Sequence, residues 1–211
     1  SLIGTQAEVQ ISASPDQLKN CKEILHHKCS EAKFDGCLTF VIGENGMDLA
    51  MKYGLPANQI IKTGNWLGPL LVAAAENGVK KLLLFGYHGK LIKLSGGVFH
   101  THHHLADGRI EILTSIAFRE GISFDLIELI SKSTSVENAL LTLEVSNPEA
   151  VSLIWSRMAK EIEIKSRSYV NRYLSSSMEI GSVLFDRKRQ IRWAGFEGLK
   201  QINSFGLILK R

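Results

Sequence analysis

Residues 82–113 read LLLFGYHGKLIKLSGGVFHTHHHLADGRIEIL. They gather five of the chain's seven histidines, with Lys90, Lys93, Asp107 and Arg109 among several glycines, directly behind an apolar run. A segment so dense in titratable groups and glycine is poor material for a core and good material for a site. His88 titrates near neutral pH and suits acid–base work. Lys90 and Lys93 suit the pairing of carboxylates. Asp107 and Arg109 are spaced either to form an ion pair that shapes the loop or to meet a ligand directly. His100, His102 and His104 alternate, so an extended strand would put them on one face, where they could converge on a metal. No His-Glu-x-x-His pattern or distant cysteine pair accompanies them, and the reading favours a ligand loop without metal. The bland alternative is a solvated loop with an incidental histidine run.

These residues need a frame, and the preceding chain supplies one. Residues 37–42 (CLTFVI) form a β-branched and aromatic run, which reads as a buried strand. Gly43-Glu44-Asn45-Gly46 follows at once and leads into a helix over residues 47–53. Glycines between a strand and a helix let backbone N–H groups approach a ligand at the helix N-terminus. Glu44 argues against phosphate there and for hydroxyls or a cationic ligand. A tight turn is an equally good account. Residues 59–62 (QIIK) give the next short strand, and residues 63–69 (TGNWLGP) start a helix that ends at Gly78. In that turn Asn65 is placed to cap the helix, and Trp66 reads as a core side chain. Residues 79–85 (VKKLLLF) form the third strand, after which Gly86 opens the histidine-rich loop.

Strand, glycine turn and helix thus occur three times, which implies right-handed crossovers and a parallel sheet. In such sheets ligands sit at the carboxyl ends of the strands. The remaining elements are coarser. A short strand is expected at residues 7–11. A helix follows from Ser14-Pro15 to about Ala32, with Leu18, Cys21, Ile24, Leu25 and Cys29 on one face. Amphipathic helices are expected at residues 109–119, 124–130 and 136–143. A long one, capped by Asn147, runs to about Ser175. Strands are expected at residues 180–185, 191–194 and 205–209. The basic run Asp186-Arg187-Lys188-Arg189-Gln190-Ile191-Arg192 reads as a solvated turn. The fold class is therefore α/β: a Rossmann-like three-layer parallel sheet with helices on both faces, then a helical segment and short C-terminal strands. Residues 1–120 form the ligand-binding unit, with residues 121–211 packed on the same domain.

Composition narrows the partners. The 211 residues can bury a sizeable core, and 45% hydrophobic with 22% charged residues is ordinary for a globular domain. A net charge of +4 fits an anionic small molecule better than nucleic acid, since no basic stripe with interleaved aromatics is present. No apolar run reaches the length of a membrane span, and residues 1–15 do not read as a signal peptide. Cys21, Cys29 and Cys37 match no zinc or redox spacing, which fits free thiols in a reducing cytoplasm. A homo-oligomeric form is compatible with all of this.

From Gly86 onward the sequence resembles the CbiD family, whose pattern is a strand, then GHxGKLxKLxxG, then THSxxADxR with a following glutamate. Here the text is Gly86-Tyr87-His88-Gly89-Lys90-Leu91-Ile92-Lys93-Leu94-Ser95-Gly96-Gly97, then Thr101-His102-His103-His104-Leu105-Ala106-Asp107-Gly108-Arg109-Ile110-Glu111. Asn65-x-x-Gly68 and Ala73-Ala74-Ala75-Glu76-x-Gly78-Val79 also follow the family pattern, and the resemblance extends from Gly4 to the region of Asn147. His103 stands where the family has serine. The family's TTG-containing, alanine-rich segment is not found here, so the resemblance covers the family's C-terminal portion.

The resemblance implies methylation of carbon 1 of a cobalt-precorrin in oxygen-independent cobalamin synthesis, with S-adenosylmethionine as donor. On that expectation Gly43, Glu44, Asn45, Gly46, Asn65 and Gly68 hold the donor. Lys90, Lys93, Thr101 and Arg109 hold an anionic tetrapyrrole, and His88, His102 and Asp107 lie at the chemistry. The alternatives are a metal-dependent hydrolase built on His100, His102 and His104, or a non-catalytic tetrapyrrole-binding module.

Overall fold

The computed structural model describes residues 15–43, 46–102 and 107–204. The expected strands at residues 7–11 and 205–209, and the Ser14 cap, lie outside the described residues, as do Glu44, Asn45, His103 and His104.

Helix α1 (Pro15–Ser30) precedes strand β1 (Cys37–Ile42), α2 (Gly46–Lys52), β2 (Ile60–Thr63) and α3 (Leu67–Glu76). Strand β3 (Lys81–Tyr87) runs straight into α4 (His88–Ser95). Four helices follow: α5 (Arg109–Arg119), α6 (Phe124–Ser131), α7 (Val136–Ser146) and α8 (Pro148–Asn171). The chain then returns to the sheet as β4 (Glu179–Phe185) and β5 (Ile191–Ala194), ending in α9 (Phe196–Ser204).

The strands form one sheet in the order β2-β1-β3-β4-β5. The first four are parallel and β5 is antiparallel. In register, Phe40 lies beside Ile61 on one side and Leu84 on the other, and Leu84 in turn beside Ser182. Alternation along the strands feeds two cores, because successive side chains point to opposite faces. Leu38, Phe40, Ile42, Leu82 and Leu84 join the larger core with α1, α3, α4 and α8. Val41, Leu83, Phe85, Val183 and Phe185 pack on the other face against Leu49 and Ala50 of α2 and Ile202 of α9. Helices therefore cover both faces, as the three repeated units require.

Four sequence expectations need correction. The histidine-rich segment does not open as a loop at Gly86: residues 88–95 are helical, because Leu91, Ile92 and Leu94 give that turn a fully buried apolar side. Ile24 is 41% exposed, so the buried face of α1 rests on Cys21 and Leu25 instead. Helix α8 stops at Asn171, short of Ser175. Helix α9 was not expected at all, since Gly198 in its interior masks the pattern.

Candidate functional site at the sheet's switch point

The connection from β1 leads outward to β2, whereas the chain after β3 leads to β4 on the opposite side. The order of the sheet thus reverses between β1 and β3. Doubly wound sheets bind ligands at the carboxyl ends of the strands flanking such a point, where diverging connections leave a crevice. A cavity of about 520 Å³ lies there. Ile42 and Gly43 from the end of β1 line it, with Tyr87 and Lys90 from the β3–α4 junction and Phe185, Asp186, Arg187 and Arg189 from the end of β4. Gly43 has φ +101, and the Lys90 side chain passes 3.9 Å from where a Cβ would stand. A side chain at Gly43 would strain the backbone and narrow the crevice mouth.

Behind the cavity, one carboxylate organises two of its neighbours. Tyr87 Oη donates to Glu137 Oε2 at 3.2 Å, and His88 Nε2 lies 2.6 Å from the same oxygen. Arg187 Nε donates to Tyr87 Oη at 3.3 Å. His88 is buried, with Trp155 edge-on to its ring at 5.1 Å. Burial lowers the His88 pKa, against the opposing pull of Glu137. Burial likewise raises that of Tyr87, which Arg187 partly offsets. His88 thus faces the helical layer, not the cavity that Tyr87 and Lys90 line.

A second cluster sits beside α4. Thr101 N donates to Asn65 O at 2.9 Å, and Thr101 Oγ1 to Asn65 Oδ1 at 3.0 Å. Asn65 does not cap α3, whose N-cap position is Trp66 and carries no side-chain bond. Lys93 is 2% exposed and donates to Thr101 O at 3.2 Å. Its burial lowers its pKa. Lys93 therefore braces the segment after α4 from inside. His100 stacks edge-on against Trp66 at 4.3 Å, and its Nδ1 accepts from His102 N at 3.4 Å. His100 and His102 lie with ring centroids 6.4 Å apart. Among the described residues, no group of three His, Cys, Asp or Glu side chains is placed to hold a metal.

Asp107 and Arg109 do form an ion pair, with bonds of 2.7 and 2.6 Å. The pairing lowers the Asp107 pKa and raises that of Arg109. Gly46 and Gly68 are explained by close packing: a Cβ would stand 2.4 Å from Val41 Cγ1 in the first case and 2.5 Å from Tyr169 Oη in the second.

The structure thus gathers Gly43 and Lys90 at one cavity and holds Asn65, Thr101, Lys93 and His102 in a neighbouring brace. Sequence reasoning missed Tyr87, Glu137, Asp186, Arg187 and Arg189. For the arginines the signal was present: a basic turn at a strand's carboxyl end, the criterion that had singled out the other turns.

Another cavity, of about 500 Å³, lies between α8 and α9, lined in part by Lys160, Arg167, Trp193 and Phe196 around Glu163. The Glu163 carboxylate there accepts from Ser182 N, Gly198 N and Glu197 N at 3.0–3.2 Å. It ties the start of α9 to β4, and its role is structural.

This arrangement defines a doubly wound α/β protein with a basic cavity at its β1/β3 switch point. Residues 100–195 match the family model described as CbiD, C-terminal domain. The chain is 97% identical over 211 residues to a Prochlorococcus marinus (strain NATL1A) protein named cobalt-precorrin-5B C(1)-methyltransferase, covering 100% of this chain and 55% of that protein. It is 53% identical over 195 residues to the Synechococcus sp. (strain CC9902) protein of the same name, covering 92% of this chain and 53% of that one. Residues 100–195 thus carry the likeness to the CbiD C-terminal domain, and the chain spans about half the length of the curated relatives it matches. No solved structure matches it.

Proposed function

We propose that this chain contributes the switch-point cavity to an S-adenosylmethionine-dependent methyltransferase acting on carbon 1 of a cobalt-precorrin in cobalamin synthesis. The observation that carries the reading is the coincidence of Gly43 and Lys90 in one basic cavity at the β1/β3 switch point, in a chain akin to proteins named for that reaction.

The cavity's residues fit both ligands. Ile42, Tyr87 and Phe185 give it apolar and aromatic walls suited to a flat nucleoside. The bare backbone at Gly43 lets a ligand come close, and Glu44 and Asn45, next in sequence, are residue types that suit a ribose or amino group. The donor, when bound, supplies an electrophilic methyl on a sulfonium sulfur. The protein's part is then mostly positioning, since holding two reactants in line removes much of the entropic barrier. Lys90 is placed to neutralise a substrate carboxylate at the mouth, with Arg109 and Asp107 shaping the nearby surface. His88, buried against Glu137, holds Tyr87's end of α4 in place. His102 and Thr101 belong to the neighbouring brace beside α4. Such an enzyme works in the cytoplasm. Among the described residues, no helix is long and apolar enough to cross a membrane.

Titration calorimetry with S-adenosylmethionine on the full natural chain tests the reading. Binding that weakens in Glu44→Ala supports it, and no detectable heat with the wild type contradicts it.

A further inference from the structure

The β4–β5 turn carries cations that the methyltransferase reading, as carried over from the family pattern, leaves without a role. Asp186 closes the turn: its N–H donates to Gln190 O at 3.0 Å, its carboxylate accepts from Gln190 N at 2.9 Å, and its carbonyl accepts from Arg189 N at 3.0 Å. Arg189 completes the turn at φ 60, a left-handed conformation in which glycine or asparagine is usual. Asp186 is 5% exposed and lines the cavity wall, with its carboxylate held by Arg192. Arg187 and Arg189 line the cavity opposite Lys90.

Arg187 is held by a chain of contacts from three other segments. Its Nε donates to Tyr87 Oη on β3, Tyr87 Oη donates to Glu137 on α7, and the same Glu137 oxygen meets His88 at the start of α4. Among the described residues, the Arg187 Nη groups make no hydrogen bond. An arginine fixed through Nε with its outer edge open presents two parallel N–H donors, the geometry that matches a carboxylate. Arg187 also lies within electrostatic reach of Glu137 and Arg109, while Asp186, the acid of the turn, is engaged by Gln190 N and Arg192.

We propose that the β4–β5 turn is the second anion-binding wall of the cavity, with Arg187 receiving a carboxylate of a polycarboxylate tetrapyrrole whose other side meets Lys90. Tyr87 and Glu137 act as positioning residues for that arginine. The identity of the ligand rests on the methyltransferase reading; the site itself rests on the geometry.

The test is fluorescence-quenching titration of a metal-free polycarboxylate tetrapyrrole, and of its fully esterified form, into the full natural chain. The free acid binds and the ester does not. Arg187→Ala weakens binding by about tenfold or more, the loss of one charge-assisted contact. Arg187→Lys keeps the charge, loses the Nε anchor and does not restore affinity. Tyr87→Phe weakens binding less than Arg187→Ala, and Lys188→Ala, on the same turn but outside the cavity lining, binds as wild type. Equal affinity in wild type and Arg187→Ala overturns the proposal, and so does an equal loss in Lys188→Ala. Full rescue by lysine, or no effect of Tyr87→Phe, overturns the positioning role. Methyl transfer by the wild type is scored separately. Its absence alongside Arg187-dependent binding counts against the methyltransferase reading alone, and its presence alongside Arg187-independent binding counts against this proposal alone.

Discussion

Glu137 Oε2 lies 2.6 Å from His88 Nε2, joining α7 to the first residue of α4 across 49 positions of sequence. Both side chains are buried, and the same carboxylate oxygen takes the hydroxyl of Tyr87. The contact sets where the floor of the switch-point cavity ends and the helical layer begins. It also explains why a histidine whose type suggests acid–base chemistry sits away from solvent.

Replacing Glu137 by alanine leaves His88 Nε2 buried without its partner. An unsatisfied buried polar group costs about 1–3 kcal/mol, more where charge is involved. Glu137→Ala is therefore expected to lose about 2–3 kcal/mol of stability in urea denaturation. Glu137→Gln, which keeps an acceptor, loses less. Equal stability of the alanine variant and the wild type would contradict the role given to the pair.

The pH dependence follows from the same site. Burial lowers the folded-state pKa of His88 below its ordinary value of about 6.5. As pH falls below that value, the unfolded chain takes up a proton that the folded chain resists. The contribution of His88 is thus fully present above about pH 6.5 and is lost as pH falls toward the depressed folded value. In stability measured from pH 8 to pH 5, the gap between wild type and His88→Gln should be constant at the upper end and change only as pH falls below about 6.5. At the lower end the wild type should lose ground. A gap that is the same at every pH would remove the effect.

Two glycines are expected to fail for different reasons. A Cβ at Gly198 would stand 2.2 Å from Ser182 O, a backbone atom that cannot turn aside. Gly198→Ala should destabilise by about 1–3 kcal/mol through overpacking of α9 on β4. A Cβ at Gly43 has room, its nearest neighbour being Lys90 Cδ at 3.9 Å, but φ is +101. Gly43→Ala should cost about 1–2 kcal/mol of backbone strain and should also weaken ligand binding, which Gly198→Ala should not. Thermal melts paired with ligand titration separate the two, and a binding loss in Gly198→Ala would contradict the assignment.

Much of the frame was legible because strands and helices write their own periods. The ranges of β1, β5 and α5 could be read directly, since each has an unbroken local pattern. Helix α4 reads as loop in the sequence because its lysines and Gly89 look solvated, yet Lys93 is buried along with Leu91, Ile92 and Leu94. The site was harder. Gly43 and Lys90 were recognisable from strand ends and family pattern. Arg187 meets Tyr87 from 100 positions away, and nothing local says that β4 pairs with β3. Glu137 has no local signal at all; only the fold places it beside His88.

The most direct test of the central claim is methyl transfer itself. The full natural chain, supplied with isotopically labelled S-adenosylmethionine and a cobalt-precorrin, should place label on carbon 1 of the tetrapyrrole. Lys90→Ala should cut the rate while leaving thermal stability close to wild type. Labelling at no carbon of the tetrapyrrole, or a Lys90→Ala variant as fast as wild type, would contradict a methyl-transfer site at this cavity.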